Sequence, residues 1–419
     1  MSEPGSMPVM YRQCAGMDVH KDSVYVCARL VSGEGTMREE FETFGTTTRE
    51  LLRLRGWLEE RRIVQVTMEA TGVYWKPVWN LLEDAFDLWL VNARHVKQVP
   101  GRKTDMLDCQ WLAQLLSCGL LKKSFVPPVE QRDLRDLTRG RTTLIQDRAR
   151  VANRIQKVLE DANIKLGSVA SDVLGASGRD MLAALVSGET DAAAMAQLAR
   201  RRMRAKLPAL TEALQGQVRD HHRFLLKSLL QQIDALEALI EAHSLRIHEV
   251  MDPFFKEAVA RLDTMPGVDK VAAQCIVAEI GIDMSRFPTA GHLCSWAGLC
   301  PGNRRSAGKR QSGRMNWANV WLKAILCQTG WGASHTKDTY LSTQYHRLAR
   351  RRGKKRALMA VGHSQLQSAY YMLRDRVAYA ELGVNWLELR HGEQQAKHLV
   401  QRLEKLGYQV DIQKASAAA

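Results

Sequence analysis

The sequence predicts an α/β domain followed by an all-α remainder. Three observations carry that expectation. Over residues 10–128, short β-branched or alternating runs are interleaved with stretches of helical spacing. Over residues 129–252 glycines are few and apolar residues recur at intervals of three and four. Basic residues crowd into one late segment instead of spreading along the chain.

Residues 14–31 read as two strands or one long one, because Val24, Val26, Ala28 and Leu30 alternate with Tyr25, Cys27 and Arg29. Ser32-Gly33-Glu34-Gly35-Thr36 is a turn, and residues 37–44 return as a strand, which makes a meander. Helical spacing over 48–62, a β-branched run over 63–68, helical spacing over 74–85 and a short buried strand over 88–91 follow. This α/β domain, residues 10–128, ends in a helix over 104–118. Residues 129–252 are expected to form a helical, coiled-coil arm. Its seam is Leu226, Leu229, Ile233, Leu236, Ile240, Ile247 and Val250, with His243 in the missing position. Such a seam closes either within the chain or between two copies. Residues 253–380 form a third, mainly helical domain. There Met265-Pro266-Gly267-Val268, ahead of a helix over 270–280, reads either as a helix-hairpin-helix grip on a phosphate or as a plain helical corner. Residues 381–419 are a C-terminal extension, amphipathic over 396–410 and a disordered tail over 414–419.

The 419 residues, 45% hydrophobic and 25% charged, suit two or three globular domains. Lys and Arg number 60 against 45 Asp and Glu, a net charge of +15 that favours a polyanionic partner, nucleic acid ahead of acidic membrane. Residues 302–356 hold fourteen Lys or Arg and one acid, Asp338, so this segment alone carries +13 of the +15. No apolar run approaches the roughly 18 residues of a membrane span, and residues 1–13 lack the apolar stretch of a signal peptide, so the expected setting is intracellular. The eight cysteines are scattered without a CxxC pair, the pattern of reduced core thiols.

Asp18 and Glu69 both end apolar strand-like runs, where a charge is costly to bury unless it is paired or bound to metal. Asp105 and Asp108, three apart, fall on one face at the start of a helix, where the helix dipole alone also favours acids. Four acids drawn from three elements can hold two divalent ions that prefer oxygen ligands and promote phosphoryl transfer. Further along, Gly298-Leu299-Cys300-Pro301-Gly302-Asn303-Arg304-Arg305-Ser306-Ala307-Gly308-Lys309-Arg310 is a glycine-punctuated basic loop before a helix over 317–326. Its cations would hold a phosphate against a serine hydroxyl. From the residues alone, Ser306 and Ser312 are equal candidates.

In order, Met17-Asp18-Val19-His20-Lys21, Glu69-Ala70-Thr71-Gly72, Lys103-Thr104-Asp105-Met106-Leu107-Asp108, Met265-Pro266-Gly267-Val268, and Gly298-Leu299-Cys300-Pro301 leading to Ser306-Ala307-Gly308-Lys309 resemble the insertion-sequence one-ten family of transposases. These are also called DEDD transposases or bridge-RNA-guided serine recombinases. The resemblance spans about residues 14–375. It implies a RuvC-like, RNase H-type first domain in which Asp18, Glu69, Asp105 and Asp108 bind Mg2+ (or Mn2+). It also implies a C-terminal transposase domain whose Ser306 is the nucleophile and forms a phosphoserine link to DNA. Donor and target DNA, a structured noncoding guide RNA, and a homodimer or homotetramer joining the acids of one subunit to the serine of another are the implied partners. A prokaryotic cytoplasm, at the nucleoid, is the implied setting. Candidate phosphate contacts are Lys21, Arg102, Lys103, Arg304, Arg305, Lys309, Arg310, Arg314, Arg351, Lys354 and Lys355. The chain has Ala307 where the family has glycine after the serine, and Gly313-Arg314-Met315-Asn316 departs from the usual stretch that follows. A metal-dependent junction nuclease and a noncatalytic nucleic-acid scaffold are the other two readings.

Overall fold

The β-rich start of the chain folds as a five-stranded mixed sheet. Its strands are β1 (Gln13–Val19), β2 (Ser23–Val31), β3 (Met37–Gly45), β4 (Gln65–Glu69) and β5 (Asp87–Val91). The computed structural model describes residues 9–411 apart from 34–35, 71, 93–104, 252, 301–303, 307–308 and 313–318, with backbone only at 105–107, 253–254, 304–306, 309–312, 388–391 and 393–395. The tail over 414–419 therefore lies outside the described residues.

The strand order is β3-β2-β1-β4-β5. Residues 14–31 are two strands in a tight antiparallel hairpin, Asp18 opposite Tyr25, and β3 continues the meander. β4 and β5 then run parallel to β1. This order and these directions are those of a RuvC-like, RNase H-type sheet.

Side chains alternate across a strand, so each strand feeds two faces. On one face Ala15, Met17, Val19, Val66 and Met68 pack against Leu51, Leu54 and Leu58 of α1 (Thr48–Glu60) and Val78, Trp79 and Leu82 of α2 (Trp75–Leu82). The opposite face is covered by α3 (Asp105–Ser117), whose Leu112, Leu115 and Leu116 meet Cys14 and Val91 while Cys109 and Ala113 meet Cys27. Residues 1–127 form one unit and residues 128–419 a second.

The second unit is built on two long helices, α4 (Val129–Asp161) and α9 (Asp220–Val250). They run antiparallel: Asp161 meets His222, Arg148 meets Glu237, and a Cβ on Gly140 would lie 3.2 Å from His243. The seam of α9 thus faces α4 of the same chain, with Leu226, Ile233 and Ile247 fully buried. Between them α5 (Leu166–Val169), α6 (Ala176–Ser187), α7 (Ala192–Gln197) and α8 (Leu207–Ala213) close a core at the far end, around Ile155, Leu166, Met181 and Leu210.

At the near end Leu134 and Ile247 join a larger core. It is formed by α10 (Pro253–Asp263), α11 (Lys270–Ile280), α12 (Ala290–Trp296), α13 (Val320–His335), α14 (Tyr340–Arg352) and α15 (Lys354–Asp375). The turn between α10 and α11 is held by protein groups: a Cβ on Gly267 would come within 2.2 Å of Ala333 N, and Gln365 Nε2 donates to Pro266 O at 3.0 Å. Asp269 caps α11 by accepting from Ala272 N. Helix α16 (Trp386–Glu404) begins ten residues earlier than the amphipathic pattern over 396–410 predicts. Among the described residues no helix is long and apolar enough to cross a membrane.

Candidate functional site

The sheet sets out the acids. In the parallel register Met17 lies beside Met68, so one step further Asp18 and Glu69 are neighbours at the carboxyl ends of β1 and β4. Both belong to the face opposite Met17 and Met68, which is the face that α3 covers. Neighbouring strands lie about 4.8 Å apart, close enough for two carboxylates to share a cation.

Helix α3 brings the other two. Its C-terminal end sits at the start of β1, where Met10 N donates to Ser117 O, so the helix runs against the strand and its first turn, with Asp105 and Asp108, lies toward Asp18. Gly16 permits this approach: a Cβ there would fall 2.2 Å from Cys109 O and 2.5 Å from Ala113 N. Gln110 Nε2 also reaches across to Glu39 Oε2 at 2.5 Å, and Glu39 takes a 2.6 Å salt bridge from Arg29. These bonds tie the helix to the sheet.

The charges converge on one buried group. Burial pushes the Cys109 thiol up to about 12, and the negative charges of Asp18 and Asp108 push the same way. The Asp18 side chain is 15% exposed and its Oδ2 bonds His20 Nε2 at 3.0 Å. Sequence reasoning gave His20 no role; the signal was there in a histidine two residues beyond a strand-end aspartate. Asp108 and Glu69 are half-buried. For Asp105 the backbone alone is described, and Lys21 is exposed just past β1 while Arg102 and Lys103 lie outside the described residues.

All four acids offer hard oxygen donors, with no thiolate or second histidine among them, which suits Mg2+ or Mn2+ better than zinc or copper. A different grouping, Asp161, His221 and His222, also comes together in the second unit. There His222 Nδ1 accepts from Arg219 N at 3.2 Å, Nε2 faces Asp161 Oδ2 at 2.8 Å, and the Arg219 guanidinium stands 3.2 Å away. That cluster caps α9 and sets a cation against any metal.

The basic loop is a short hairpin: β6 (Arg304–Ser306) pairs antiparallel with β7 (Lys309–Ser312). Ser306 stands opposite Lys309 at the turn and Ser312 opposite Arg304 at the open end, so the two serines occupy different ends of the ribbon. Arg305 faces Arg310 in register, a like-charged pair that costs stability unless an anion lies across it. Backbone alone is described here, and Arg314 lies outside the described residues. The next helix, α13, starts later than predicted, at Asn319, which caps it by accepting from Trp321 N and Leu322 N at 3.1 Å. Asn319 Nδ2 donates to Glu279 Oε2, and Glu279, 2% exposed, holds Arg139 through two bonds of 2.7 and 2.8 Å. Gln131 and Arg135 both donate to the Ala278 carbonyl near the end of α11, and Arg135 donates also to that of Glu279. This polar knot fixes the helix that follows the hairpin. Arg351, Lys354 and Lys355 are exposed around the start of α15.

A mixed sheet with Asp18 and Glu69 side by side at one edge and the first turn of α3 lying toward them, together with a basic hairpin carried by the helical unit, is an arrangement suited to handling nucleic-acid strands. Residues 15–164 match the DEDD transposase family of IS110, and residues 259–346 match the transposase IS116/IS110/IS902 family. The chain belongs to this IS110 family of transposases, whose class of work is cutting and rejoining DNA. It is 26% identical to the insertion element IS116 uncharacterized 44.8 kDa protein of Streptomyces clavuligerus, over 69% of this chain and 79% of that one. It is 31% identical to the insertion element IS110 uncharacterized 43.6 kDa protein of Streptomyces coelicolor, over 37% of this chain and 36% of that one. Among solved structures, Thermus thermophilus RuvC aligns over 27% of this chain and 99% of its own, at 15% identity and a TM-score of 0.22.

Proposed function

We propose that this transposase excises and inserts a mobile element with two half-sites, a metal-binding acid edge and a serine nucleophile. The observation that carries the reading is the convergence of Asp18, Glu69 and the first turn of α3 on one edge of the sheet. Asp18, Glu69, Asp105 and Asp108 would hold the divalent ions. Bound there, Mg2+ supplies Lewis-acid polarisation of a phosphoryl oxygen.

Ser306 is the nucleophile in this reading. Its Oγ gives up a proton and bonds to phosphorus, and one P–O bond of the DNA backbone breaks to leave a free hydroxyl. A hydroxyl from another strand reverses the step, so the phosphodiester energy is kept in the phosphoserine link and rejoining needs no outside source. The opposed Arg305 and Arg310 support a phosphate at this hairpin. A structured guide RNA would supply sequence choice by pairing, leaving the protein to read backbone shape. Homodimers or homotetramers would bring an acid edge to a serine.

The test is a denaturing gel of labelled donor DNA incubated with protein and Mg2+. Wild type is expected to leave a protein-linked DNA end that Ser306→Ala abolishes and Ser312→Ala retains. The acid edge by itself also suits a junction nuclease using water, and cut DNA without any protein-linked end would favour that reading. Recovery of a discrete RNA with the purified protein tests the guide.

A further inference from the structure

One groove in the helical unit is unused by the chemistry above. It lies between the end of α13, the outer side of α14 and the start of α15, and encloses about 610 Å³, within the ~300–1,000 Å³ of small-molecule clefts. Trp331 forms one wall and is 50% exposed, although an indole is among the costliest side chains to leave in water. The ring is held: His335 meets it edge-on, with centroids 4.5 Å apart and planes at 61°, and His335 Nδ1 donates to the Trp331 carbonyl at 2.9 Å. Lys337, Arg350 and Lys354 line the same groove and are all exposed. No ion pair holds any of these three cations among the described residues, and Asp338, at the turn beside Lys337, does not line the groove.

A fixed, half-exposed aromatic ring ringed by unpaired cations is complementary to a base and its flanking phosphates. We propose that this groove binds an unpaired nucleotide, its base flat on Trp331 and its phosphates against Lys337, Arg350 and Lys354. A paired base cannot reach the indole, because both of its faces are taken by its neighbours in the stack. Unpaired nucleotides arise in a nicked or displaced DNA strand and in the loops of a structured RNA, and the chemistry is the same for both. The inference rests on the nucleic-acid reading above and not on serine chemistry.

Binding of labelled twelve-residue oligonucleotides, oligo-dT, oligo-rU and a duplex, is measured by fluorescence anisotropy with full-length protein carrying Ser306→Ala in the presence of EDTA, so that neither serine-dependent nor metal-dependent cleavage intrudes. Trp331→Ala is expected to weaken at least one single strand roughly 5- to 100-fold, the range for losing one stacked base, and to leave duplex binding as it was. Trp331→Phe is expected to retain most of the affinity. Arg350→Ala and Lys354→Ala are each expected to lower the single-strand salt slope by about 0.7, which Trp331→Ala leaves unchanged. The strand that responds to Trp331 identifies the source. Single-strand binding indifferent to Trp331→Ala, or equal losses on duplex and single strands in a variant with native circular dichroism, would overturn the proposal. A missing protein-linked DNA end beside intact Trp331-dependent binding would remove Ser306 from the mechanism and leave the groove standing.

Discussion

Gly16 lies so close to α3 that a Cβ on it would sit 2.2 Å from the carbonyl oxygen of Cys109, nearer than side-chain carbons ever approach. Asp18 is two residues along the same face of β1, and Asp108 immediately precedes Cys109. Gly16→Ala must therefore push helix and strand apart and separate the acids with them. The expected cost is about 1–3 kcal/mol of stability, as for other overpacked cores, seen as a lower urea midpoint. Metal-dependent cleavage should fall by much more than stability does at temperatures where the variant remains folded. Full cleavage by Gly16→Ala would show that this contact does not set the spacing of the carboxylates.

Glu279 anchors the start of α13, the helix that follows the basic hairpin in the chain. At 2% exposed it neutralises Arg139 and Arg135 and braces Asn319; burial draws the Arg135 guanidinium down to about 10 even with the Glu279 charge pulling it up. Glu279→Ala leaves two guanidinium groups without their counter-charge. The expected loss is roughly 3–5 kcal/mol, toward the lower figure because Arg139 is 31% exposed. Asn319→Ala removes the cap of α13 and one hydrogen bond to Glu279, and should cost about 1–2 kcal/mol. Urea titrations of the two variants check the order, and equal costs would mean that the ion pair contributes no more than the cap.

Much of the sheet was legible because its signals are local. Alternation marked residues 24–30 as strand but left open whether 14–31 made one strand or two, and Asp18 and Glu69 stood out as charges ending apolar strands. The docking of the first turn of α3 toward Asp18 was not legible, because it depends on α3 packing antiparallel to β1 across a sequence gap of about ninety residues. Gly16 was the available clue, since a glycine inside a strand often marks a close backbone approach. The hairpin at Arg304–Ser306 read as a loop for a physical reason: strands of three and four residues, rich in opposed cations, have neither alternation nor β propensity. The seam on α9 gave its periodicity but not its partner, which proved to be α4 of the same chain. Glu279 sat unremarked in a mostly apolar helix, where its arginine partners on α4 explain it.

The burial of His363 predicts a helical unit sensitive to mild acid. Burial lowers its pKa below the ordinary 6.5, so the folded chain keeps the ring neutral while the unfolded chain takes up a proton near 6.5. A group depressed on folding contributes stability that is fully present above the unfolded pKa and is lost as pH falls toward the folded one. Urea midpoints should therefore drop between pH 7.5 and pH 5.5, and His363→Gln should drop less over the same interval. An identical fall in both proteins would assign the acid sensitivity to other groups.

If each active centre joins the acids of one subunit to the serine of another, complementation between defective chains should occur and should be directional. In a mixed dimer of Asp18→Ala and Ser306→Ala chains, one centre pairs the defective acids with the missing serine and is doubly dead. The other pairs the intact acids of the Ser306→Ala chain with the intact serine of the Asp18→Ala chain. That centre should cleave, and the DNA should end up covalently attached to the Asp18→Ala polypeptide alone. Tagging the two chains to run at different sizes on a denaturing gel reads this directly. Centres built within one subunit predict no adduct on either chain, because each polypeptide then lacks one half of its own site.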